Sequence, residues 1–366
     1  MHIGIVGLPF VGKTTIFNAL TSARAKTGEY ISGLKEPNRA VVKVPDPRVY
    51  KIAEMFSPKK VTPAEIEYID VAGMLKPKEP SPTGKEKEAE VFSHLREVDA
   101  LALVIRMFKD ENIIHPSGDI NPLRDMENFD LDLALLDLEI IEKRLGKLEK
   151  SYHTTKSSEE KREYELLSKC KASLENSIPL RDMDFTPEEI RLLSGYCFLS
   201  HKPILIILNL GEEDLAEGEK IEKDFASRLK YKRSLVSAIC GKLEMEISQL
   251  EEKDRASFLE ELGIKEQAGD RVISSSYKLL GLISFFTANQ NEVKAWAIPL
   301  GTKALKAAGT VHTDMEKGFI KAEVINYDKL IEAGSIHQAK EKGLVRLEGK
   351  DYPVQDGDLI FFRFNV

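Results

Sequence analysis

Short apolar runs separated by longer polar or helical stretches characterise the first two thirds of the chain. The runs that predict strands are residues 2–6, 39–44, 66–73, 100–105, 202–209 and 234–238. The run at 100–105 is apolar without interruption, which is typical of a parallel strand buried on both faces of a sheet. The pattern therefore predicts an α/β fold with a mostly parallel sheet.

Between residues 129 and 178 the pattern becomes helical. Apolar residues recur at spacings of three and four in two runs, which are separated by the polar stretch 154–160. The residues that define the two runs are Leu131, Leu135, Leu138, Ile141, Leu145, Leu148 and Tyr152, then Tyr164, Leu167, Leu174 and Ile178. Two such runs in succession predict a helical hairpin that packs as an antiparallel coiled coil.

The last part of the chain has the pattern of a small α+β domain. Strands are predicted at residues 294–299, 319–324, 344–347 and 359–364, and a helix at 327–333. No cluster of catalytic residue types falls in this region, so the chemistry is expected elsewhere in the chain.

The charge balance excludes a globally basic, nucleic-acid-binding composition, because the formal net charge is -7. Residues 143–171 differ, with nine Lys or Arg against five Glu. This local excess makes the predicted hairpin a candidate contact for a ribosome or RNA, with a plain solvated helix face as the alternative.

Cysteine usage and hydropathy indicate the compartment. Cys170, Cys197 and Cys240 form no C-x-x-C pair, which predicts a reducing, cytoplasmic location and no disulfide-linked partner. No apolar run reaches the roughly 18 residues that a membrane helix needs, so no membrane contact is expected.

Residues 7–14 fit G-x-x-x-x-G-K-[ST], the phosphate-binding P-loop, between a predicted strand and a helix that begins at Thr15. The two glycines allow the backbone to approach a phosphate chain, so that successive N–H groups point at an anion. Lys13 is predicted to reach the β- and γ-phosphates, and the Thr14 hydroxyl to bind Mg²⁺. The predicted nucleotide-binding residues of this loop are Gly7, Pro9, Phe10, Val11, Gly12, Lys13, Thr14 and Thr15.

The strand at 66–73 ends in D-x-x-G, the second motif of a phosphate site. Asp70 is predicted to hold Mg²⁺, and the Gly73 N–H to meet the γ-phosphate. Many GTPases place a water-orienting Gln after this glycine, but here the residue is Met74. Because a thioether cannot orient or deprotonate water, no catalytic residue is assigned beyond phosphate stabilisation by Lys13, and slow hydrolysis is expected.

The strand at 202–209 ends where GTPases carry N-K-x-D, and here the sequence reads Asn209-Leu210-Gly211-Glu212. The Asp of a GTPase accepts hydrogen bonds from N1–H and the 2-amino group of guanine, and adenine has neither donor. Leu210 in place of the Lys that covers the base, and Glu212 in place of the Asp, fit guanine poorly and favour ATP or loose selectivity. The predicted base-binding residues are Asn209, Leu210 and Glu212, with Ser237 and Ala238 in a loop that borders the base.

Together these motifs resemble the Obg-like ATPase (YchF) family, which belongs to the translation-factor-related P-loop proteins. The stretches that carry the resemblance are residues 7–14, 36–38, 44–48, 70–73, 110–112 and 209–212. The most specific stretches, which resemble the TGS (ubiquitin-like) domain of that family, are residues 312–320, 347–352, 354–358 and 362–366.

The resemblance implies three domains: a P-loop nucleotide-binding domain formed by residues 1–127 and 201–280, an inserted helical coiled-coil arm at 128–200, and a TGS domain at 281–366. It also implies ATP and Mg²⁺ as ligands, slow ATP hydrolysis, and association with a ribosome or RNA. The hydrophobic residue that the family carries after D-x-x-G matches Met74.

The sequence departs from the family in both regions that sense the γ-phosphate. Leu34 stands where the family has its switch threonine, and residues 77–87 lack the family's glycine-rich loop. Nucleotide binding is therefore expected to survive better than hydrolysis.

The sequence favours an ATP-binding P-loop switch protein with slow hydrolysis that docks on a ribosome or RNA. One alternative is a nucleotide-binding scaffold with little or no hydrolysis. A second alternative is an ordinary GTPase, against which Leu210 and Glu212 argue.

Overall fold

The structure of the protein, a computed structural model, describes residues 1–21, 37–70, 93–155, 157–229, 233–261 and 267–365, without the side chains of residues 151–155, 252 and 256. The chain divides into two compact units. Unit 1 contains residues 1–40 and 67–272, and unit 2 contains residues 41–66 and 273–366. Unit 2 thus includes an N-terminal segment in addition to the residues from which we predicted a TGS domain. The division into three domains stays a prediction.

The described strands form two six-stranded sheets. In chain order the strands are β1 (His2–Val6), β2 (Asn38–Lys43), β3 (Lys60–Thr62), β4 (Glu65–Asp70), β5 (Ala100–Arg106), β6 (Ile204–Asn209), β7 (Ser234–Ile239), β8 (Leu282–Ala288), β9 (Glu292–Pro299), β10 (Phe319–Asn326), β11 (Arg346–Glu348) and β12 (Asp358–Phe364). The first sheet has the order β2-β4-β1-β5-β6-β7, and the second has the order β11-β10-β12-β8-β9-β3.

Helices connect and cover these strands. In chain order the α-helices are α1 (Lys13–Thr21), α2 (Pro47–Phe56), α3 (Pro122–Thr155), α4 (Ser158–Glu175), α5 (Pro187–Leu193), α6 (Gly218–Arg228), α7 (Gly241–Ser248), α8 (Glu252–Glu261), α9 (Ala268–Leu279), α10 (Ala304–Val311), α11 (Thr313–Lys317), α12 (Tyr327–Ala333) and α13 (Ile336–Glu341). Residues 93–97 are also helical. Among the described helices, none is both long and apolar enough to cross a bilayer.

The first sheet confirms the predicted α/β fold. The pairs β1–β4, β1–β5, β5–β6 and β6–β7 are all parallel. Every residue of β5 and β6 is buried, as expected for strands covered by helices on both faces. Because parallel strands share one direction, the residues that follow them meet along one edge of the sheet.

The predicted helical hairpin corresponds to α3 and α4. The side chain of Lys171 lies 2.8 Å from Glu142, and Tyr164 donates a hydrogen bond of 3.2 Å to Glu149, so the two helices run antiparallel. Their shared core includes Ile141, Leu145, Leu148, Leu166, Leu167, Cys170 and Leu174. Coiled-coil packing in the strict sense stays a prediction.

Unit 2 is an α+β unit built on the second sheet. Helix α10 places Ala304 and Ala307 against one face of the sheet, where they pack with Phe285, Val324 and Ile360. The short strand β3 pairs in parallel with β9, so residues from both ends of the sequence share this sheet.

Candidate functional site: a phosphate-binding edge of the parallel sheet

The candidate site lies at the carboxyl ends of four strands of the first sheet. The P-loop follows β1, and Asp70 is the last residue of β4. Asn209 is the last residue of β6, and Gly241 follows β7. In open parallel sheets this edge is where ligands bind.

The P-loop has the backbone conformation that its glycines predict. Gly7 has φ 142° and Gly12 has φ 92°, values that side chains rarely tolerate. A Cβ on Gly7 would overlap the carbonyl oxygen of Val104, and one on Gly12 would overlap the amide of Asn209. Phe10 also has a positive φ of 65°, and its side chain is exposed. The loop is therefore a close-packed turn that larger residues at the two glycines would disrupt.

Lys13 is folded back onto the loop that precedes it. Its ammonium donates hydrogen bonds of 3.0 Å to the Gly7 carbonyl and 2.8 Å to the Leu8 carbonyl. Burial lowers the pKa of Lys13 to about 8, although the charge of Asp70 acts in the opposite direction. A partly buried ammonium whose charged form is disfavoured by burial is electrostatically suited to an anionic ligand.

Thr14 and Asp70 contact each other directly. The Thr14 hydroxyl donates a hydrogen bond of 3.0 Å to Oδ2 of Asp70. Asp70 is buried, and its Oδ1 has no hydrogen-bond partner among the described residues. Burial raises the pKa of Asp70, while the bond from Thr14, the charge of Lys13 and the side chain of Asn38 act in the opposite direction. An orphaned carboxylate oxygen beside a threonine hydroxyl is a donor set that fits Mg²⁺.

Asn209 connects the P-loop to the loop that follows β7. Its Nδ2 donates 2.8 Å to the Val11 carbonyl, and its Oδ1 accepts 3.0 Å from the Gly241 N–H. Both ends of the amide are thus used within the protein. Asn209 therefore fixes the distance between the phosphate loop and the loop after β7.

The two residues that follow Asn209 have different environments. Leu210 is buried in the core cluster that includes Phe225 and Ala238, and its role as a cover for the base stays a prediction. Glu212 begins the 3-10 helix Glu212–Glu217, and its side chain is 57% exposed. It accepts a hydrogen bond of 2.8 Å from Lys242.

The strand predicted at 234–238 corresponds to β7, but the prediction that Ser237 and Ala238 form the loop that borders the base is wrong. Both residues lie inside β7, which continues to Ile239, and Ser237 is paired with Ile207 of β6. The loop that meets Asn209 begins instead at Cys240. Gly241 and Lys242 were therefore not predicted, although a glycine and a lysine shortly after an apolar strand are typical of a loop that binds a ligand.

The remaining predicted residues are divided between the described and undescribed parts of the chain. Pro9 lies in the turn of the P-loop, Val11 is buried, and Thr15 lies in the first turn of α1. Gly73 and Met74 fall outside the described residues, as does Leu34.

The parallel sheet, the glycine loop at the start of α1 and the adjacent Thr14–Asp70 pair define a P-loop nucleotide-binding protein. Family profiles agree with this class. A profile described as "50S ribosome-binding GTPase" matches residues 2–143, and the YchF GTPase C-terminal profile, described as "Protein of unknown function (DUF933)", matches residues 282–365.

The chain belongs to the YchF family. It is 43% identical over 368 residues to the "Ribosome-binding ATPase YchF" of Bacillus subtilis, with 99% of each chain covered. It is 39% identical over 365 residues to the protein of the same name from Escherichia coli O157:H7, again with 99% of each covered. The structure of the Schizosaccharomyces pombe YchF GTPase matches with a TM-score of 0.84 and 29% identity, over 99% of this chain and 97% of that chain.

Proposed function

We propose that this protein binds ATP with Mg²⁺, hydrolyses it slowly, and acts as a nucleotide-dependent switch on the ribosome. The observation that carries the proposal is the arrangement at the edge of the first sheet. A glycine loop with positive φ angles, a partly buried lysine and a Thr–Asp pair converge there. The bacterial relatives are called ribosome-binding ATPases, which supports the same function.

The phosphates would be held by the loop amides and by Lys13, whose hydrogen bonds to two loop carbonyls can be exchanged for phosphate oxygens. Thr14 and Asp70 would hold Mg²⁺ at the oxygens that now face each other across 3.0 Å. When bound, the metal would neutralise charge that develops on the phosphates. Slow turnover follows from the sequence, because Met74 supplies no group that can position water.

The adenine preference rests on the residues after β6. Glu212 carries the carboxylate one methylene further from the backbone than an Asp would, and Leu210 lies in the core. The profile and the fission-yeast structure carry the word GTPase, whereas the bacterial relatives are called ATPases. We assign ATP because the side chains that replace the guanine-reading motif fit guanine poorly.

The ribosome is the proposed partner, and the hairpin formed by α3 and α4 is its proposed contact. The excess of Lys and Arg in residues 143–171 is suited to phosphate backbones of RNA. We place the protein in the cytoplasm because its three cysteines form no C-x-x-C pair and its proposed partner is the ribosome.

The test is a titration with non-hydrolysable ATP and GTP analogues, with and without Mg²⁺, followed by phosphate release with and without ribosomes. The wild type is compared with Lys13→Met and with Lys51→Met, which removes an exposed lysine that pairs with Glu54. We expect Mg²⁺-dependent ATP binding that Lys13→Met abolishes and Lys51→Met leaves unchanged, together with phosphate release that ribosomes increase.

Three other results would each require a different function. ATP binding with no phosphate release under either condition would identify a nucleotide-dependent scaffold. Tighter binding of the GTP analogue would identify a GTPase. Binding of neither nucleotide would contradict the whole assignment.

A further inference from the structure

An exposed ion pair joins the two loops that flank the proposed base site. Glu212 lies three residues after the end of β6, and Lys242, the second residue of α7, lies three residues after the end of β7. The Lys242 ammonium donates a hydrogen bond of 2.8 Å to Oε1 of Glu212. The Gly241 N–H next to Lys242 is fixed by Asn209, so the backbone that carries Lys242 is held in register with the P-loop.

The pair is accessible and exchangeable. The two side chains are 68% and 57% exposed, and exposed ion pairs are weak because water and salt screen them. The hydrogen bond to Glu212 and the negative charge of Glu212 raise the pKa of Lys242, as expected for an ammonium next to a carboxylate. A ligand that uses the carboxylate must therefore compete with Lys242.

The competition affects the two purines unequally. Guanine presents two neighbouring donors, N1–H and the 2-amino group, which need both oxygens of a free carboxylate. Lys242 takes one acceptor site of Oε1 and offsets part of the carboxylate charge, so a guanine that uses both oxygens must share Oε1 with the ammonium or displace it. Adenine lacks this pair of donors, so it loses nothing when the carboxylate is occupied.

We propose that Lys242 is a specificity-determining residue of the nucleotide site, which weakens guanine nucleotide binding by holding the carboxylate of Glu212. This inference rests on the proposed function, because it assumes that the purine lies between the loops that follow β6 and β7.

The test compares the dissociation constants of Mg²⁺-bound ATP and GTP analogues in the wild type and in Lys242→Met. We expect GTP to bind more tightly to the variant while ATP binding stays nearly constant, so that the selectivity ratio for ATP falls by a factor of about 1.4 to 5, the range of an exposed ion pair. Lys220→Met is the matched control, because Lys220 forms a comparable exposed pair with Glu217 at 3.1 Å. Its ratio should equal that of the wild type.

Two further measurements separate the ion pair from a general charge effect. In a Glu212→Gln background, adding Lys242→Met should leave the ratio unchanged, since the carboxylate is already gone. Raising the salt from about 0.05 M to about 0.5 M should lower the wild-type ratio through screening and should not alter the ratio of Lys242→Met. Salt effects on the phosphates are common to both nucleotides and cancel in the ratio.

An unchanged ratio in Lys242→Met, with ATP binding intact, would overturn the role of Lys242 and leave the proposed function standing. An equal change in the Glu212→Gln background would also overturn it, because Lys242 would then act without the carboxylate. If the wild type binds neither nucleotide, the proposed function and this inference fail together.

Discussion

At the scale of single residues, Gly12 is the position where the phosphate loop and the loop after β7 depend on each other. Its φ of 92° disfavours any side chain, and a Cβ would overlap the Asn209 amide that bonds to Val11 and Gly241. We expect Gly12→Ala to disturb two buried hydrogen bonds, at a cost of about 1–3 kcal/mol, and to lower ATP affinity by about tenfold or more. Isothermal titration with a non-hydrolysable ATP analogue measures this loss.

Gly146→Ala is the matched control for that substitution. Gly146 lies inside α3 with nothing within 4 Å of the position that a Cβ would occupy. Here the change should stabilise the helix by about 0.5–1 kcal/mol and leave nucleotide binding unaltered. If both alanine variants lost the same amount of ATP affinity, the close packing of Gly12 against Asn209 would not be what nucleotide binding depends on.

Lys13 makes ATP binding dependent on pH. In the unliganded protein its pKa is lowered to about 8 by burial, and bound phosphates would raise that pKa by stabilising the ammonium. Above pH 8 the complex therefore holds more protons than the free protein, so affinity must fall as pH rises, approaching about tenfold per pH unit. Titrations between about pH 7.5 and 9.5 in buffers of different ionisation enthalpy measure both the loss of affinity and the proton uptake.

Lys13→Arg should remove this pH dependence, because a guanidinium stays charged throughout the range. Its residual affinity, whatever its size, should be constant between those pH values. A wild-type affinity that does not change above pH 8 would contradict the position of Lys13 against the phosphates.

At the scale of secondary-structure elements, α3 serves two separate cores. Phe129 and Leu133 belong to the core of the parallel sheet, whereas Ile141, Leu145 and Leu148 belong to the core that is shared with α4. This change of partner explains why Leu131 and Leu135 of the predicted apolar stripe are exposed. The sequence period identified the helix, but it could not show that the buried face changes along it.

The contribution of the hairpin core to stability can be tested by comparing a buried leucine with an exposed one. Leu167 is fully buried between the helices, whereas Leu135 is 56% exposed. We expect Leu167→Ala to leave a cavity that costs about 2–5 kcal/mol and to speed hydrogen exchange of the α4 amides. Leu135→Ala should leave that exchange unchanged. Equal exchange rates in both variants would mean that α4 is not stabilised by packing on α3.

At the scale of the whole molecule, the features that sequence reasoning found are local ones. β1, the P-loop and Asp70 follow from a continuous motif with its flanking strands, and α12 was predicted with its observed bounds. The base loop was misplaced because β7 runs on to Ile239, and an apolar strand end carries no signal for its last residue.

The features that could not be predicted depend on distant partners. The strand β3 has only three residues, and its Thr62 hydroxyl bonds to Glu292, which lies 230 residues away. The placement of residues 41–66 in unit 2 likewise depends on contacts with the C-terminal region. No local pattern in the sequence indicates contacts between residues so far apart in the chain.

Arg48 provides the test of that long-range assembly. Its guanidinium bonds to Asp46 at 2.8 Å and to Asp356, 308 residues away, at 2.7 Å, and it lies over the ring of Phe286. Asp46 is buried, so removing its partner leaves a carboxylate without compensation. We expect Arg48→Met to destabilise unit 2 by about 1–3 kcal/mol, and Arg48→Lys to recover only part of this, because a lysine cannot bond to both carboxylates at once.

The single tryptophan of the sequence makes this measurable in the full chain. Trp296 lies in β9 of unit 2, so its fluorescence during denaturant unfolding follows this unit rather than unit 1. The midpoint should fall in Arg48→Met and stay unchanged in Lys51→Met, which removes an exposed lysine from the same helix. If both variants keep the wild-type midpoint, residues 41–66 do not contribute to the stability of unit 2. If Arg48→Met alone lowers it, unit 2 needs residues 41–66, and a fragment that begins at residue 281 would have an incomplete fold.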